Sequence, residues 1–213
     1  NEIQYSIEED AVTGYESSVT GYDVENTLKT VDISGSKKWV DSDNKYTTRP
    51  GEITIRVKNG TTEVASTTVT AANDWSYEFK GLPKYDRDGN EIQYSIEEDA
   101  VTGYESSVTG YDVENTLQTI DIEGSKTWND NGDDSIRPSS IIIKLLANGN
   151  EVDSKEVTAA DNWTWKFEGK PKYESGKEIK YTVSEDPVDG FISSKGDGDY
   201  DIVNTPTKVT INK

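Results

Sequence analysis

Apolar residues in this chain fall in short alternating runs. Ile53, Ile55 and Val57 take every second position, as do Trp75, Tyr77 and Phe79, and then Tyr94 and Ile96. Ile141, Ile143 and Leu145, Trp163, Trp165 and Phe167, and Tyr181 and Val183 follow the same rule. A period of two sets one face of an extended chain against a core and the other in water, so each run predicts a half-buried β-strand. Asn59-Gly60, Asp88-Gly89 and Asn148-Gly149 separate runs and read as turns. No window of a dozen residues holds a helical period. About seven short strands in roughly 90 residues predict a small all-β sandwich with one core.

The pattern is itself repeated. Residues 1–28 recur without a change at 90–117. SGSKKWVD (34–41) returns as EGSKTWND (123–130), Arg49-Pro50 as Arg137-Pro138, and VTAANDW (69–75) as VTAADNW (157–163). The chain therefore reads as two complete repeats, 29–117 and 118–205. Ahead of them, 1–28 is the C-terminal fragment of a preceding repeat; behind them, 206–213 is a tail in the position of a next first strand. Differences between copies fall in the Asp/Asn/Gly-rich stretches 41–48 and 86–90, which are expected to be loops. The residues read as a piece of a longer, expanded array.

Composition narrows the chemistry. With 22 basic and 41 acidic residues the net charge is −19, and there is no Cys, His or Met. A thiol nucleophile, a disulfide, a Cys/His zinc site and an imidazole base are all excluded. The negative charge argues against nucleic-acid or membrane-surface partners, and no stretch approaches a membrane span. A sandwich this small buries only about 60–65% of its unfolded surface, so a further source of stability is expected.

Strand parity points to one. Val31, Ile33, Gly35, Lys37 and Trp39 share a face, which directs Lys37 into the core; Lys126 takes the same place beside Trp128. Tyr94 and Ile96 bring in Glu98, and Tyr181 and Val183 bring in Glu185. Val113 aligns with Asn115, and Ile202 with Asn204. Lys37 and Asn115 stand 78 residues apart, as do Lys126 and Asn204. Three uncompensated polar burials in each of two repeats would cost several kcal/mol apiece. Burial lowers the pKa of an amine and makes it a nucleophile, while a buried carboxyl can keep its proton. Set against an Asn amide, such a pair can expel ammonia and leave a Lys–Asn isopeptide bond, a single-turnover reaction aided by proximity.

The K-x-W strands (Lys37/Trp39, Lys126/Trp128), the Arg-Pro pairs, the N-x-W or D-N-W strand, the LPKY-like turn, Y-x-[IV]-x-E and the terminal [EV]-N-T resemble the Cna-B domain, the B-type repeat of staphylococcal collagen adhesin. The resemblance covers nearly the whole chain. It implies tandem inverse immunoglobulin-like (prealbumin-like) sandwiches, each with a spontaneous isopeptide bond, in the stalk of a Gram-positive surface adhesin or pilus. Carried over, the bonds are Lys37–Asn115 promoted by Glu98 and Lys126–Asn204 promoted by Glu185. Neighbouring repeats are the implied partners, a host ligand is left to another domain, and no cofactor or metal is required. Lys38 should face solvent, and Ser184-Glu185 in the second repeat selects Glu98 over Glu97.

Other readings compete. The five Trp residues have inward parity and are expected in the core rather than on a binding platform. Asn129–Asp134 faintly resembles a calcium loop but lacks its downstream Glu and reads as a solvated turn. Adjacent glutamates such as Glu97 and Glu98 face opposite ways, which rules out a glycosidase pair. A binding module gripping a host protein or glycan with loops 105–112 and 192–201 is the alternative function. The fragment carries Glu9 and Asn26 without an upstream Lys, and Lys213 falls where a next reactive Lys would lie. The first reading of these ends is a window that cuts an array out of phase; the sharper alternative is a head-to-tail Lys213–Asn26 bond between molecules, against which the equivalent of residues 38–89 would be missing.

Overall fold

A computed structural model of the chain describes residues 2–207. Its strands are β1 (Tyr15–Thr20), β2 (Asp23–Leu28), β3 (Thr30–Val40), β4 (Glu52–Asn59), β5 (Thr62–Thr70), β6 (Ser76–Pro83), β7 (Tyr94–Glu98), β8 (Tyr104–Thr109) and β9 (Asp112–Leu117). The second half adds β10 (Thr119–Trp128), β11 (Ser140–Ala147), β12 (Asn150–Thr158), β13 (Thr164–Pro171), β14 (Tyr173–Glu174), β15 (Lys177–Glu178), β16 (Tyr181–Glu185), β17 (Phe191–Lys195) and β18 (Ile202–Pro206). The chain divides into two compact units whose main boundary lies between Thr116 and Leu117.

Each unit holds an inverse immunoglobulin-like sandwich of seven strands. In the first, the sheet β6-β3-β9-β8 faces β5-β4-β7; in the second, β13-β10-β18-β17 faces β12-β11-β16. β14 and β15 form a small extra hairpin, as do β1 and β2. The alternating runs supply the cores: Ile53, Ile55 and Val57 meet Ile33, Phe79 and Val113 in one unit, and Ile141, Ile143 and Leu145 meet Ile122, Phe167 and Ile202 in the other. Each fully buried side chain of this kind stabilises the fold by about 1.5–3 kcal/mol.

Two features of the sheets place the polar residues. The first and last strands of each repeat are parallel neighbours: Lys37 lies opposite Val113 and Trp39 opposite Asn115, while Lys126 lies opposite Ile202 and Trp128 opposite Asn204. All other strand ladders among the described residues are antiparallel, and the chain enters each repeat at one end of the parallel pair and leaves at the other. The register between β3 and β6 also slips, from Val31↔Leu82 to Ile33↔Phe79. This bulge lets β6 bury Tyr77, Phe79 and then Leu82, three positions on, while β3 keeps a strict period of two.

The strand predicted to start at Trp75 starts at Ser76 instead. A 3-10 turn, Ala71–Asn73, precedes it, and Asp74 and Trp75 then take left-handed φ values of +53° and +56°. The Thr70 amide donates to Asn73 Oδ1 at 2.9 Å and Trp75 N to Thr70 O at 3.0 Å, which holds the turn. Trp163 repeats this geometry at φ +57°. Trp165 is buried and the other four tryptophans are half-buried against the cores, edge to face in the pairs Trp39–Trp75 and Trp128–Trp163. The leading segment differs from its identical copy: residues 91–101 include β7, paired with β4, whereas residues 2–12 form no strand.

Candidate functional site

Lys37 comes from β3, Asn115 from the parallel neighbour β9, and Glu98 from the end of β7 in the facing sheet, where it pairs with Ile55. The carboxylate thus crosses the core to the two nitrogens. The Lys37 and Glu98 side chains and Asn115 as a whole are all 0% exposed. Lys37 Nζ lies 2.9 Å from Glu98 Oε1, an ion pair without hydrogen-bond geometry. Asn115 Nδ2 donates to that same oxygen at 3.2 Å. One carboxylate oxygen therefore faces both the amine and the amide nitrogen. Burial pushes the Lys37 pKa down, against the opposing pull of Glu98. The Trp39 ring covers the ammonium, with Nζ 4.7 Å from its centroid.

The second repeat places the equivalent residues together with one difference. Lys126 Nζ donates to Glu185 Oε1 at 2.7 Å, with both side chains fully buried. Burial again lowers the lysine pKa, opposed by Glu185. Asn204 is 0% exposed, yet neither atom of its amide has a hydrogen-bond partner. A buried polar atom left bare costs about 1–3 kcal/mol.

The neighbours in sequence go elsewhere. Lys38 is exposed and pairs with Glu114 at 2.7 Å, and Glu97 pairs with Lys58 at 2.6 Å. In the leading segment Glu9 accepts from Asn26 Nδ2 at 2.9 Å and from Ser17 Oγ at 2.6 Å, all on the surface. Lys213 lies outside the described residues. In the stretch resembling a calcium loop, Asp130 receives Arg137 Nε at 2.6 Å and Nη2 at 2.9 Å and accepts from Gly132 N at 3.1 Å.

A second cluster was not assigned from the sequence. Asp41 is 5% exposed and accepts from Arg49 Nε and Nη2, each at 2.5 Å, and from the Tyr104 hydroxyl at 2.9 Å. Arg49 lies 5.8 Å from the Trp39 centroid, so this ring packs against Lys37 and the Arg49 pair alike. Asp130, Arg137 and Trp128 repeat the arrangement, with Phe191 against the tryptophan in place of Tyr104. The signal was present in the recurring WVD/WND ends of SGSKKWVD and EGSKTWND and in the Arg-Pro pairs, but the intervening loops differ in length and hid the pairing.

Comparison with known proteins gives one family. The model of the Cna protein B-type domain matches residues 1–27, 33–116 and 122–205. The collagen adhesin of Staphylococcus aureus is 32% identical over 201 residues, covering 89% of this chain, which spans 17% of that protein's length. A crystal structure of two B repeat units of the S. aureus collagen binding protein is 29% identical, with 93% of this chain and 56% of that one covered and a TM-score of 0.47. A single B repeat unit of the same protein is 30% identical over 84% of this chain and 100% of its own, with a TM-score of 0.42. Three matched segments in tandem take in nearly every residue, and the chain belongs to the Cna protein B-type domain family.

Proposed function

We propose that the chain is a run of stalk repeats from a cell-surface adhesin, and that each repeat locks itself with an isopeptide bond, Lys37–Asn115 in one and Lys126–Asn204 in the other. The observation that carries this reading is the fully buried Glu98 oxygen, 2.9 Å from an amine and 3.2 Å from an amide nitrogen. The relationship to a collagen adhesin supports the surface role.

The chemistry balances on these three side chains. With the shared proton on Glu98, Lys37 is a neutral amine and its Nζ attacks Asn115 Cγ. Glu98 first gives its proton to the amide oxygen, then relays the proton shed by Nζ to Nδ2, and takes back the oxygen's proton as the carbonyl re-forms. The Cγ–Nδ2 bond breaks, ammonia leaves, and a secondary amide remains. Proximity in a dry core replaces an external activating group. No substrate is turned over. The bare amide of Asn204 is consumed by the same step, which removes a standing cost of burial. By analogy with a disulfide closing a loop of about 80 residues, each bond contributes on the order of 4–5 kcal/mol against unfolding.

The intact mass of the denatured chain tests this. Two closures predict a deficit of two ammonias, roughly 34 Da, because each expels one. Glu98→Ala and Glu185→Ala are each expected to restore one of them. An unmodified mass leaves two buried ion pairs and no lock.

A further inference from the structure

We propose that the indole N–H groups of Trp39 and Trp128 are oxyanion donors, each holding the amide oxygen of the asparagine opposite it while the lysine attacks. The inference deepens the isopeptide reading above and rests on it. It starts from buried polar atoms that have no hydrogen-bond partner among the described residues. In the first repeat these include Trp39 Nε1 and Asn115 Oδ1; in the second, Trp128 Nε1 and both amide atoms of Asn204. Buried polar atoms are paired as a rule, so each exception calls for a reason. An indole nitrogen can only donate and an amide oxygen can only accept. Each repeat therefore buries an unused donor and an unused acceptor.

The strand register sets the two side by side. Trp39 lies opposite Asn115 on the parallel strands β3 and β9, and Trp128 opposite Asn204 on β10 and β18. Paired strands run about 4.8 Å apart. Both tryptophans pack against their cores and both asparagines are 0% exposed, so each pair shares the inward face. Lys37 Nζ lies 4.7 Å from the Trp39 ring centroid and Lys126 Nζ 5.0 Å from that of Trp128. The indole thus borders both the attacking amine and the amide under attack. Neighbouring rings fix it there edge to face: Trp75 and Tyr104 against Trp39, Trp163 and Phe191 against Trp128. Glu98 Oε1 is already engaged by Asn115 Nδ2, and Oδ1 lies on the other arm of that planar amide.

When Nζ adds to Asn115 Cγ, the electron pair of the C=O π bond moves onto Oδ1. One lone pair of that oxygen takes the Glu98 proton and another accepts the indole N–H. As the carbonyl re-forms, the Cγ–Nδ2 bond breaks and ammonia leaves. The indole keeps its own proton throughout. A donor fixed in a dry core, where charge develops, needs no reorganisation at the moment of reaction.

The test follows closure in time. The full chain is synthesised in vitro, quenched in denaturant at intervals and weighed, with Glu185→Ala confining closure to the first repeat. Benzothienylalanine at position 39 keeps the bicyclic ring and puts sulfur where the N–H stood. It is expected to slow the loss of ammonia roughly 100- to 1,000-fold, the effect of removing one oxyanion donor. The same replacement at position 128, with Glu98→Ala, should slow the second repeat alike. Trp165 supplies the control: its Nε1 is also buried and bare, but it lies opposite Gly124, where the first repeat has Tyr77 opposite Gly35. Trp165→Tyr should leave the rate of the second repeat unchanged. In a chain carrying both Glu98→Ala and Glu185→Ala, benzothienylalanine should leave the urea midpoint where it was. Closure within about threefold of the wild-type rate, in place of that loss, overturns the proposal. So does equal slowing by Trp165→Tyr, or a fall in the midpoint large enough to account for the slowing. A wild-type chain that loses no ammonia sinks the lock itself; one that closes no faster than its benzothienylalanine form sinks only the part given to the indole.

Discussion

A methyl group on Gly35 would stand 2.0 Å from the Tyr111 carbonyl oxygen and 2.7 Å from the Tyr77 hydroxyl; on Gly124 it would meet the Tyr200 carbonyl oxygen at 2.4 Å. Backbone atoms cannot swing aside, so the first strand would have to part from the last one two residues before Lys37. Gly35→Ala is expected to cost about 2–3 kcal/mol in urea unfolding and to leave one ammonia on the first repeat, read by mass. The Asp41–Arg49 pair sets a different sensitivity. Burial raises the Asp41 pKa, but Arg49, the Asn44 amide and Tyr104 outweigh it and leave the carboxyl below its ordinary range. A carboxyl lowered by folding stabilises the fold above its unfolded pKa, and that contribution is lost as pH falls through the folded value. The melting temperature of the first repeat should therefore drop in acid, below about pH 4. Asp41→Asn should flatten that drop while lowering stability at pH 7 by about 2–3 kcal/mol.

Among the elements, the bulge in β6 turns on Gly81. Its φ is +67°, its amide donates to Asp32 Oδ1 at 2.8 Å, and an added Cβ would meet nothing within 4 Å. Gly169 repeats this at φ +61° with Asp121 at 2.9 Å. Gly81→Ala should therefore cost only backbone strain, about 1–2 kcal/mol, with the isopeptide mass deficit unchanged; a lost deficit would show that the bulge aligns the reactive strands. What the sequence made legible follows from the same strands. Parity held along all of β3, so Lys37 and Lys38 separated correctly into buried and exposed, and Ser184 beside Glu185 distinguished Glu98 from Glu97. The Asp41–Arg49 pair was not legible because a loop with left-handed Ser42, Asp43 and Asn44 closes it, and such geometry has no periodic signature. The start of β6 was misplaced by one residue for a related reason: Trp75 keeps its inward parity from a left-handed turn, not from a strand.

For the molecule as a whole, the position of the proposed lock would decide the response to load. Force applied to the ends of a repeat enters at β3 and leaves at β9, and the proposed Lys37–Asn115 bond would join those two strands directly. Residues between them would then be shielded. Force spectroscopy on the wild-type chain should show no unfolding step from either repeat. Glu98→Ala should release one step of about 28 nm, the 78 residues between Lys37 and Asn115 at about 3.6 Å each. A step of that length in the wild-type chain would mean that the bond does not carry the load.

The parallel pairing of first and last strands reaches beyond mechanics. Because each repeat takes in the chain at one end and releases it at the other, a gene can gain or lose a whole repeat without rethreading those that remain. The 28 residues shared by 1–28 and 90–117 mark an in-register seam at which to do so. The number of repeats then becomes an inherited count, adjustable one at a time, while every surviving repeat keeps its own lysine, glutamate and asparagine.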